Sequence, residues 1–187
     1  DNYEAGARAA LIRLLAAAGI AATVPERQSC CGQAALHAGQ SGQAGRLQAK
    51  NQRALAGFER LLVLASGCFS ALHGHIGIPV EDAGLFLARH AEALPLKSAA
   101  GMRVALHAPC SASFNGSQLA IRQLLDRIPD LEVIVLPDTG CCGAAGLHQL
   151  ARPERAAALR APLLDGVHGL RVDALLSANI GCRLHLA

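Results

Sequence analysis

The sequence predicts an α/β protein of two duplicated strand–helix lobes, with mainly parallel sheets and with cysteine loops at the carboxyl ends of strands. Short apolar runs alternate with helical patterns along the 187 residues, an order typical of parallel strands joined by helical crossovers. A cysteine motif occurs twice in the same register. In each copy the cysteines follow an apolar run, at the point where a strand is expected to end.

The duplicated motif is the strongest feature of the chain. Cys-Cys-Gly-Gln-Ala-Ala-Leu-His at 30–37 returns as Cys-Cys-Gly-Ala-Ala-Gly-Leu-His at 141–148, so both ends shift by 111 residues. A Gly-Cys step follows each copy, ending at Cys68 and at Cys182. Repetition of this kind indicates a duplicated unit. We expect a first repeat at 1–96 and a second at 97–187, with the boundary in the short link 95–101.

The second repeat has one more cysteine than the first. Cys110 precedes the Cys141–Cys142 pair by 31 positions, and the same spacing counted back from Cys30 falls immediately before Asp1. We therefore expect the first strand of repeat one, and a cysteine with it, to lie outside this chain.

Periodicity gives the individual elements. Helices are expected at 4–18, 43–60, 82–94 and 117–127, and another from Pro153, because proline suits the first helical position. Gly19 is placed to end the first helix in the left-handed conformation. Buried strands are expected at 61–65, 103–107, 132–136 and 173–177, with a further strand-like run at 21–25. The Gly- and Gln-rich stretch 39–45 is expected to be a loop.

Composition excludes several classes of function. With 52% hydrophobic and 17% charged residues the chain can fill a packed core. A net charge of +3 and 3% aromatic residues provide no basic stacking surface for nucleic acid, and no apolar run approaches the ~20 residues of a membrane span. Seven cysteines, an odd number partly in adjacent pairs, favour a metal and a reducing compartment over disulfides. We expect a cytoplasmic protein.

The cysteines are the candidate site. Because the carboxyl ends of parallel strands share one edge of a sheet, thiolates from three loops of repeat two are expected to meet there. Thiolates select iron–sulfur clusters, zinc or copper(I). Adjacent cysteines reach separate irons of a cluster more readily than they bind one tetrahedral ion. The expected metal ligands are Cys110, Cys141, Cys142 and Cys182 in repeat two and Cys30, Cys31 and Cys68 in repeat one.

The glycines that follow the two pairs belong to the same prediction. Gly32 and Gly143 have no side chain, so the backbone can approach closely and direct N–H groups toward sulfur, and we expect them to contact the cofactor. No residue is assigned a catalytic role, since neither a Walker loop nor a GxGxxG fingerprint is present. Three alternatives stay open: buried core cysteines, a vicinal disulfide switch or other thiol–disulfide enzyme, and a zinc-binding assembly module without redox chemistry.

Several histidines flank the cysteines. His37 and His148 repeat in register, so we expect one shared role, a structural hydrogen bond in the loop. His185 is either a metal ligand, as imidazole is in Rieske centres, or a packed side chain. His107 is expected merely to flank the site. His73 and His75 could add ligands if repeat one held zinc.

The cysteine spacing resembles that of the cysteine-rich CCG domain, which occurs in heterodisulfide reductase, in lactate-utilisation proteins and in the iron–sulfur subunit of glycolate oxidase. The ending Ser-Ala-Asn-Ile-Gly-Cys-Arg-Leu-His at 177–185 and the approach at 137–143 are most similar to the glycolate oxidase branch. The resemblance implies a [4Fe–4S]-type cluster on the four cysteines of repeat two. It also implies a subunit of an oxidoreductase complex that relays electrons. The electrons would come from flavin-bearing dehydrogenase subunits of the glycolate type, which act on 2-hydroxy acids, and would pass to a quinone or other acceptor. The complex would lie in the cytoplasm or peripherally at the inner membrane through its partners.

The chain departs from the fullest form of that motif, which ends Cys-x-x-Cys. The fourth position is Ala71 in repeat one and His185 in repeat two. Repeat one is therefore expected to be short of ligands for a complete cluster, and heterodisulfide reduction, which the resemblance links to a five-cysteine cluster, is the less favoured chemistry.

Overall fold

The structure is a computed structural model that describes residues 4–187, apart from the side chain of Phe114. Nine α-helices, two 3₁₀ turns and five strands are present in this part of the chain, and every strand pair is parallel. The predicted α/β class with parallel sheets is confirmed. None of the helices in the described range is long and apolar enough to cross a bilayer.

The first half of the chain, residues 4–96, contains a two-stranded sheet surrounded by helices. Strands β1 and β2 pair in parallel, with Leu61 opposite Val80. The elements in order are α1 (Ala5–Ala17), α2 (Gln33–His37), α3 (Ser41–Ala54), β1 (Leu61–Val63), α4 (Ser66–Leu72), β2 (Val80–Asp82), α5 (Ala83–Arg89) and a 3₁₀ turn (Ala91–Ala93).

The second half, residues 97–187, contains a three-stranded sheet in the order β4-β3-β5. The middle strand β3 is buried because a parallel neighbour lies on each side: Val104, Ala105 and Leu106 are at most 3% exposed. The elements are β3 (Arg103–His107), a 3₁₀ turn (Cys110–Phe114), α6 (Ser117–Leu125), β4 (Glu132–Val135), α7 (His148–Ala151), α8 (Pro153–His168), β5 (Ala174–Ser177) and α9 (Ile180–Leu186).

Three apolar clusters form the core, and two of them include cysteines. Cys142 and Cys182 pack in the cluster of the three-stranded sheet, with Ala105 and Leu163 among its members. Cys31 and Cys68 lie against the cluster of the two-stranded sheet. The third cluster contains Leu15 and Phe86 from the first half and is covered in part by Leu124 from the second. Burial of apolar surface therefore stabilises each half and also joins the two.

Several elements agree with the sequence-based expectations. Strand β3 has the predicted bounds, and β1, β4 and β5 lie inside theirs. Helix α1 ends as predicted, with Gly19 at φ +74°. The Gly19 amide donates to the Ala16 carbonyl at 3.0 Å and the Ile20 amide to the Leu15 carbonyl at 2.8 Å. These two bonds are those of a Schellman motif, and they satisfy carbonyls that the helix leaves free.

Other expectations are wrong. The stretch 39–45 is not a loop, because α3 begins at Ser41; Ala44 is fully buried against Gly32, so tertiary packing outweighs the low helix propensity of glycine. That helix ends at Ala54 rather than near residue 60. The run 21–25 forms no strand, since no strand of the described residues lies beside it to share hydrogen bonds.

Several short strands and helices were not predicted from the sequence. Residues 80–82 form β2, although residue 82 was expected to open a helix. Helix α5 starts one residue later, where the Asp82 carboxylate accepts from the Gly84 amide at 2.8 Å. Helices α2, α4, α7 and α9 were not predicted, because elements of four to seven residues are too short for periodicity to show.

The two cysteine motifs lie close to the interface between the halves. The Ser66 amide, just before Cys68, donates to the Ala178 carbonyl at 3.1 Å. A Cβ atom placed on Gly146, in the loop after the second pair, would lie 2.9 Å from the His37 Cβ. The loops that follow the two pairs are therefore in contact.

Candidate metal centre

The four cysteines of the second half lie on three segments that follow the three parallel strands. Cys110 starts the 3₁₀ turn after β3, and the Cys141–Cys142 pair lies in the loop after β4. Cys182 follows β5, but in helix α9 rather than in a loop. Since all three strands run parallel, these segments lie at the same edge of the sheet.

The second set extends from the core to the surface. Cys142 and Cys182 are 3% and 6% exposed, Cys141 is half-buried and Cys110 is exposed. The sulfur atoms of Cys142 and Cys182 are 3.1 Å apart and share a hydrogen bond. The Gly143 amide donates to the Cys141 sulfur at 3.3 Å. One side of this set is thus shielded from solvent, while Cys110 reaches the surface.

The pKa values show that these thiols act on one another. The hydrogen bond with Cys182, helped by the Ala144 amide and opposed by burial, lowers the pKa of Cys142 to about 6. The same hydrogen bond and burial raise the pKa of Cys182. Burial, followed by the charges of Cys141 and Cys142, raises the pKa of Cys110. These cysteines therefore lie near enough to change one another's pKa, and the Cys142 thiolate forms readily.

The cysteines of the first half repeat this pattern. The hydrogen bond with Cys68, helped by the Gln33 amide against the effect of burial, lowers the pKa of Cys31 to about 6. The pKa of Cys68 is raised by that hydrogen bond, by burial and by the nearby charges of Cys31, Cys30 and Glu4. Cys30 is exposed. Three thiols are thus assembled here as well.

A glycine in the left-handed region follows each cysteine pair. Gly32 has φ +94° and Gly143 has φ +90°. A Cβ on Gly143 would lie 2.7 Å from the Ala156 carbonyl oxygen, and one on Gly32 would lie 3.3 Å from the Ala44 Cα. At both glycines the close backbone approach is therefore made by the next long helix along the chain. Helix α8 approaches Gly143, and helix α3 approaches Gly32. The expected N–H···S contact is present at Gly143.

The histidines divide into separate roles. The His148 Nδ1 atom bonds the Gly143 carbonyl at 2.9 Å, the structural hydrogen bond that was expected. His37 instead pairs its Nε2 atom with the Gln33 side chain at 2.7 Å and is exposed. The prediction of one shared role is wrong, because α2 begins directly after Gly32 while α7 begins only at His148, so the two imidazoles sit at opposite helix ends.

His185 is buried, and its Nε2 atom bonds the Ala156 carbonyl at 3.1 Å. This bond favours the packing role over ligation through that nitrogen. His107 is also buried and bonds the Ser177 hydroxyl through Nδ1 at 3.0 Å, while burial lowers its pKa. His73 stacks on Phe69 with ring centroids 4.8 Å apart, and His75 is exposed.

A polar group beside the cysteines was missed at the level of sequence. Within three positions of Cys182, Cys110 and Cys68 along the chain lie Asn179, Ser111 and Ser66. Their side chains are hydrogen-bonded to one another. Only Asn179 carried a usable signal, since asparagine before a short apolar helix is a typical N-cap. The serine contacts join residues 45 to 113 positions apart, and local patterns contain no information about them.

The number and type of the cysteine ligands can be compared with what a single metal ion and an iron–sulfur cluster each take. Within residues 4–187, no three His, Cys, Asp or Glu side chains surround a point that would hold a single metal ion. Each iron of a cluster needs only one protein thiolate, and a [4Fe–4S] cluster takes four. The second set supplies four soft thiolates, two of them shielded from water. Its number and chemistry therefore fit an iron–sulfur cluster, which supports the sequence-based reasoning from adjacent cysteines.

The sequence matches a known family of cysteine-rich domains. A family described as the cysteine-rich domain CCG matches residues 2–73 and 104–187. The chain belongs to this family. The matched segments include all seven cysteines, and the family predicted from the cysteine spacing is confirmed.

Curated relatives extend the comparison. The chain is 32% identical to a subunit of the fumarate reductase (CoM/CoB) of Methanothermobacter marburgensis, over 95% of this chain and 37% of the relative. It is 27% identical to the glycolate oxidase iron–sulfur subunit of Escherichia coli, over 96% of this chain and 49% of the relative. An uncharacterised iron–sulfur protein of Methanocaldococcus jannaschii is 28% identical over 94% of this chain and 36% of its own length. The chain spans about a third to a half of the length of these relatives.

Proposed function

We propose that this chain is an iron–sulfur electron-transfer subunit of an oxidoreductase complex. Its [4Fe–4S]-type cluster is held by Cys110, Cys141, Cys142 and Cys182. The observation that supports the proposal is that these four cysteines follow three parallel strands at one edge of the sheet, with the Cys142 and Cys182 sulfurs 3.1 Å apart. The names of two relatives support it, since both are subunits of oxidoreductases and one is an iron–sulfur subunit.

The chain's own residues determine how such a site would work. A bound cluster supplies storage and transfer of single electrons, at a potential set by hydrogen bonds to sulfur and by solvent exposure. The Gly143 amide donates to the Cys141 sulfur and stabilises negative charge there. Cys142 and Cys182 keep water from one side of the site, whereas the exposed Cys110 lies toward the surface where an electron partner can approach.

The partners follow from the same proposal. Electrons would come from flavin-bearing dehydrogenase subunits of the glycolate type, which oxidise a 2-hydroxy acid, and would pass to a quinone or another acceptor. The E. coli glycolate oxidase iron–sulfur subunit supports this choice, but identity does not single out its branch, because identity to the fumarate reductase relative is higher. The complex would be cytoplasmic or held peripherally at the inner membrane by its partners.

The first half would contain a second, smaller metal site. We assign Cys30, Cys31 and Cys68 to it, within a first repeat at 1–96 that corresponds to a second repeat at 97–187. Gly32 and Gly143 would line the two sites. Three thiols are one fewer than a [4Fe–4S] cluster takes, so we expect the first site to bind its metal more weakly than the second.

Anaerobic reconstitution with iron and sulfide tests the proposal. The wild-type chain should bind iron and acid-labile sulfide and show the broad visible absorption of a cluster. Cys141→Ser should lose that absorption, whereas Cys30→Ser, the matched change in the first set, should keep most of it. An unchanged spectrum in Cys141→Ser would contradict the ligand assignment. Zinc bound without labile sulfide would contradict the electron-transfer role and favour the assembly module.

One observation favours a second candidate, a thiol–disulfide enzyme. The Cys142 and Cys182 sulfurs are 3.1 Å apart and the pKa of Cys142 is about 6, as in a reactive dithiol. The Cys142 thiolate would attack a substrate disulfide and release one thiolate. Cys182 would then lose its proton, attack the Cys142 sulfur and release the second thiolate, so that two electrons leave the pair. A flavin-bearing partner would return them.

The two candidates differ in what the metal-free chain does. A dithiol enzyme should reduce a small aromatic disulfide without iron, with a rate that depends on Cys142 and Cys182 and not on Cys110. The metal-free electron-transfer subunit should consume only the single equivalent that its own thiols supply, with no sustained turnover above that of the Cys142→Ser variant when a chemical reductant is present.

A further inference from the structure

Asn179 lies between the two cysteine sets, at the start of the helix that contains Cys182. It is the N-cap of α9, and its Oδ1 atom accepts a hydrogen bond from the Gly181 amide at 2.9 Å. A short polar side chain at this position satisfies an amide that the helix leaves free. This bond fixes the first turn of the helix, in which Cys182 is the third residue.

The other end of the same amide reaches a different cysteine segment. The Asn179 Nδ2 atom donates to the Ser111 hydroxyl at 3.0 Å, and Ser111 directly follows Cys110 in the 3₁₀ turn. One side chain thus holds the Cys110 turn against the Cys182 helix. Cys110 itself is exposed and lies in a turn rather than in a strand, and within that turn the Ser113 hydroxyl donates to its carbonyl at 2.6 Å.

Ser66 extends the contact to the first half. Its hydroxyl lies 2.6 Å from the Ser111 hydroxyl and 3.5 Å from Asn179 Nδ2. Ser66 is fully buried and begins α4, the helix that contains Cys68. A Cβ on Gly67 would lie 3.0 Å from Asn179 Nδ2, so the absence of a side chain there lets the asparagine approach.

Asn179 has no counterpart asparagine in the first repeat. Cys182 and Cys68 correspond, and counting back three positions from each places Asn179 opposite Ala65. Ala65 is the N-cap residue of α4 and forms no side-chain cap. At this position of the repeat, asparagine is therefore present only in the second copy, where it bridges from one cysteine segment to another.

We propose, building on the metal centre proposed above, that Asn179 is a positioning residue for that centre. It holds the Cys110 turn against the helix of Cys182, and through Ser111 and Ser66 it ties the second site to the helix of Cys68. The bridge sets the electronic environment of the cluster, because ligand position and hydrogen bonding near sulfur both determine potential.

Two substitutions separate the bridge from the helix cap. Asn179→Ser keeps a good N-cap residue but is too short to reach Ser111. Asn179→Asp keeps the cap and can accept from the Ser111 hydroxyl, while it adds a negative charge. Ser98→Ala is the control, because Ser98 bonds the exposed Asp130 and takes no part in the bridge.

The first measurement is hydrogen–deuterium exchange of the metal-free chain. We expect Asn179→Ser to speed exchange in the peptide 110–116 at least fivefold, with Asn179→Asp and Ser98→Ala close to wild type. If Asn179→Ser does not fold, Ser111→Ala removes the same bridge without altering the cap of α9. Unchanged exchange in both variants would overturn the inference.

The second measurement is made on the anaerobically reconstituted chain. Asn179→Ser should retain less than half of the wild-type iron and sulfide and show an altered electron paramagnetic resonance spectrum. Asn179→Asp should retain the metal with a midpoint potential lower than that of the wild type. Variants with the wild-type spectrum and potential would overturn the role in the metal centre. If the wild-type chain takes up no cluster, the proposed function fails, and the exchange measurement alone decides the bridge.

Discussion

The two cysteine motifs share a backbone conformation and differ in their surroundings. Gly32 and Gly143 adopt nearly the same left-handed φ angle, +94° and +90°. In each motif the hydrogen bond with the cysteine of the later Gly-Cys step lowers the pKa of the second cysteine of the pair to about 6. The motif therefore produces the same thiol chemistry in two different settings.

Burial is what distinguishes them. In the second motif Cys142 and Cys182 are buried beside a three-stranded sheet, whereas Cys31 and Cys68 are only half-buried beside two strands. The first motif has three thiols in the described residues and the second has four. The comparison teaches that the same long-range hydrogen bond between thiols sets their pKa in both motifs, while the packing around each motif differs in how far it shields the thiols from solvent.

The largest difference between the motifs is expected at their glycines. Gly143→Ala places a Cβ 2.7 Å from the Ala156 carbonyl oxygen, so left-handed strain and backbone overlap together should destabilise the chain by about 4 kcal/mol. Gly32→Ala meets Ala44 at 3.3 Å and should cost about 2 kcal/mol. Chemical denaturation of the metal-free variants measures both.

A third glycine measures the cost of a left-handed φ angle without any steric overlap. Gly101 has φ +80° with no atom within 4 Å of an added Cβ, so Gly101→Ala should cost about 1 kcal/mol from the φ angle alone. Equal losses at Gly32 and Gly143 would mean that the two helices pack on their motifs in the same way, against the geometry.

The two sheets should respond differently to loss of a leucine. Leu106 is 1% exposed in the central strand β3, so Leu106→Ala should lower the free energy of unfolding by about 4 kcal/mol. Leu62 in β1 is only partly buried, and Leu62→Ala should cost about 2 kcal/mol. Denaturation midpoints compare them, and a larger loss at Leu62 would show that the first half is the better packed.

The thiols offer a test in which the two motifs should agree. Because the Cys142 pKa is about 6, its alkylation rate in the metal-free chain should level off above pH 7. Cys182→Ala removes the hydrogen bond that stabilises the thiolate, so the pKa rises and alkylation at pH 7 falls at least tenfold, recovering as pH approaches 9. Mass spectrometry of the alkylated peptides measures the rates.

Cys68→Ala should have the same effect on Cys31, whose pKa is also about 6. Cys31 should react faster in absolute terms because it is less buried. Midpoints for Cys31 and Cys142 that differ by more than about two pH units would disprove the equivalence of the motifs.

The smallest effects are expected from ion pairs. Glu4 and Arg183 form a 2.7 Å pair that joins the two halves, and the Glu4 side chain is 10% exposed. Glu4→Gln should cost about 1–2 kcal/mol, since a partly buried charge loses its partner. Arg122 of α6 and Asp126, the residue that follows that helix, form an exposed pair, and Asp126→Asn should cost a few tenths of a kcal/mol. Thermal melts distinguish them, and equal losses would show that the first pair does not join the halves.

Prediction from the sequence worked best where one element is long or fully buried. Strand β3 was predicted with its observed bounds because both of its faces are covered, which leaves a continuous apolar run. Strand β2 was missed because three residues contain too little periodicity. The segment 39–45 was misjudged, since the burial of Ala44 that makes it helical depends on the distant Gly32.

Some features of the candidate site were likewise predictable from the sequence, and others were not. The position of the four cysteines at one edge of the sheet was predictable, because parallel strands place their carboxyl ends there. The separate partners of His37 and His148 were not, since repetition in sequence does not specify what packs against each copy. The bridge from Asn179 to Ser111 and Ser66 was also beyond prediction, as it joins segments far apart along the chain.

The sequence by itself determined the repeated motif, the α/β class and the position of the cysteines after the strands, because spacing and alternation are local properties of the chain. Only the tertiary structure decided which thiols are buried, which sulfurs share a hydrogen bond and which polar side chain joins the two sets. Those features arise where distant segments pack together, and burial and hydrogen-bond partners exist only once that packing has formed.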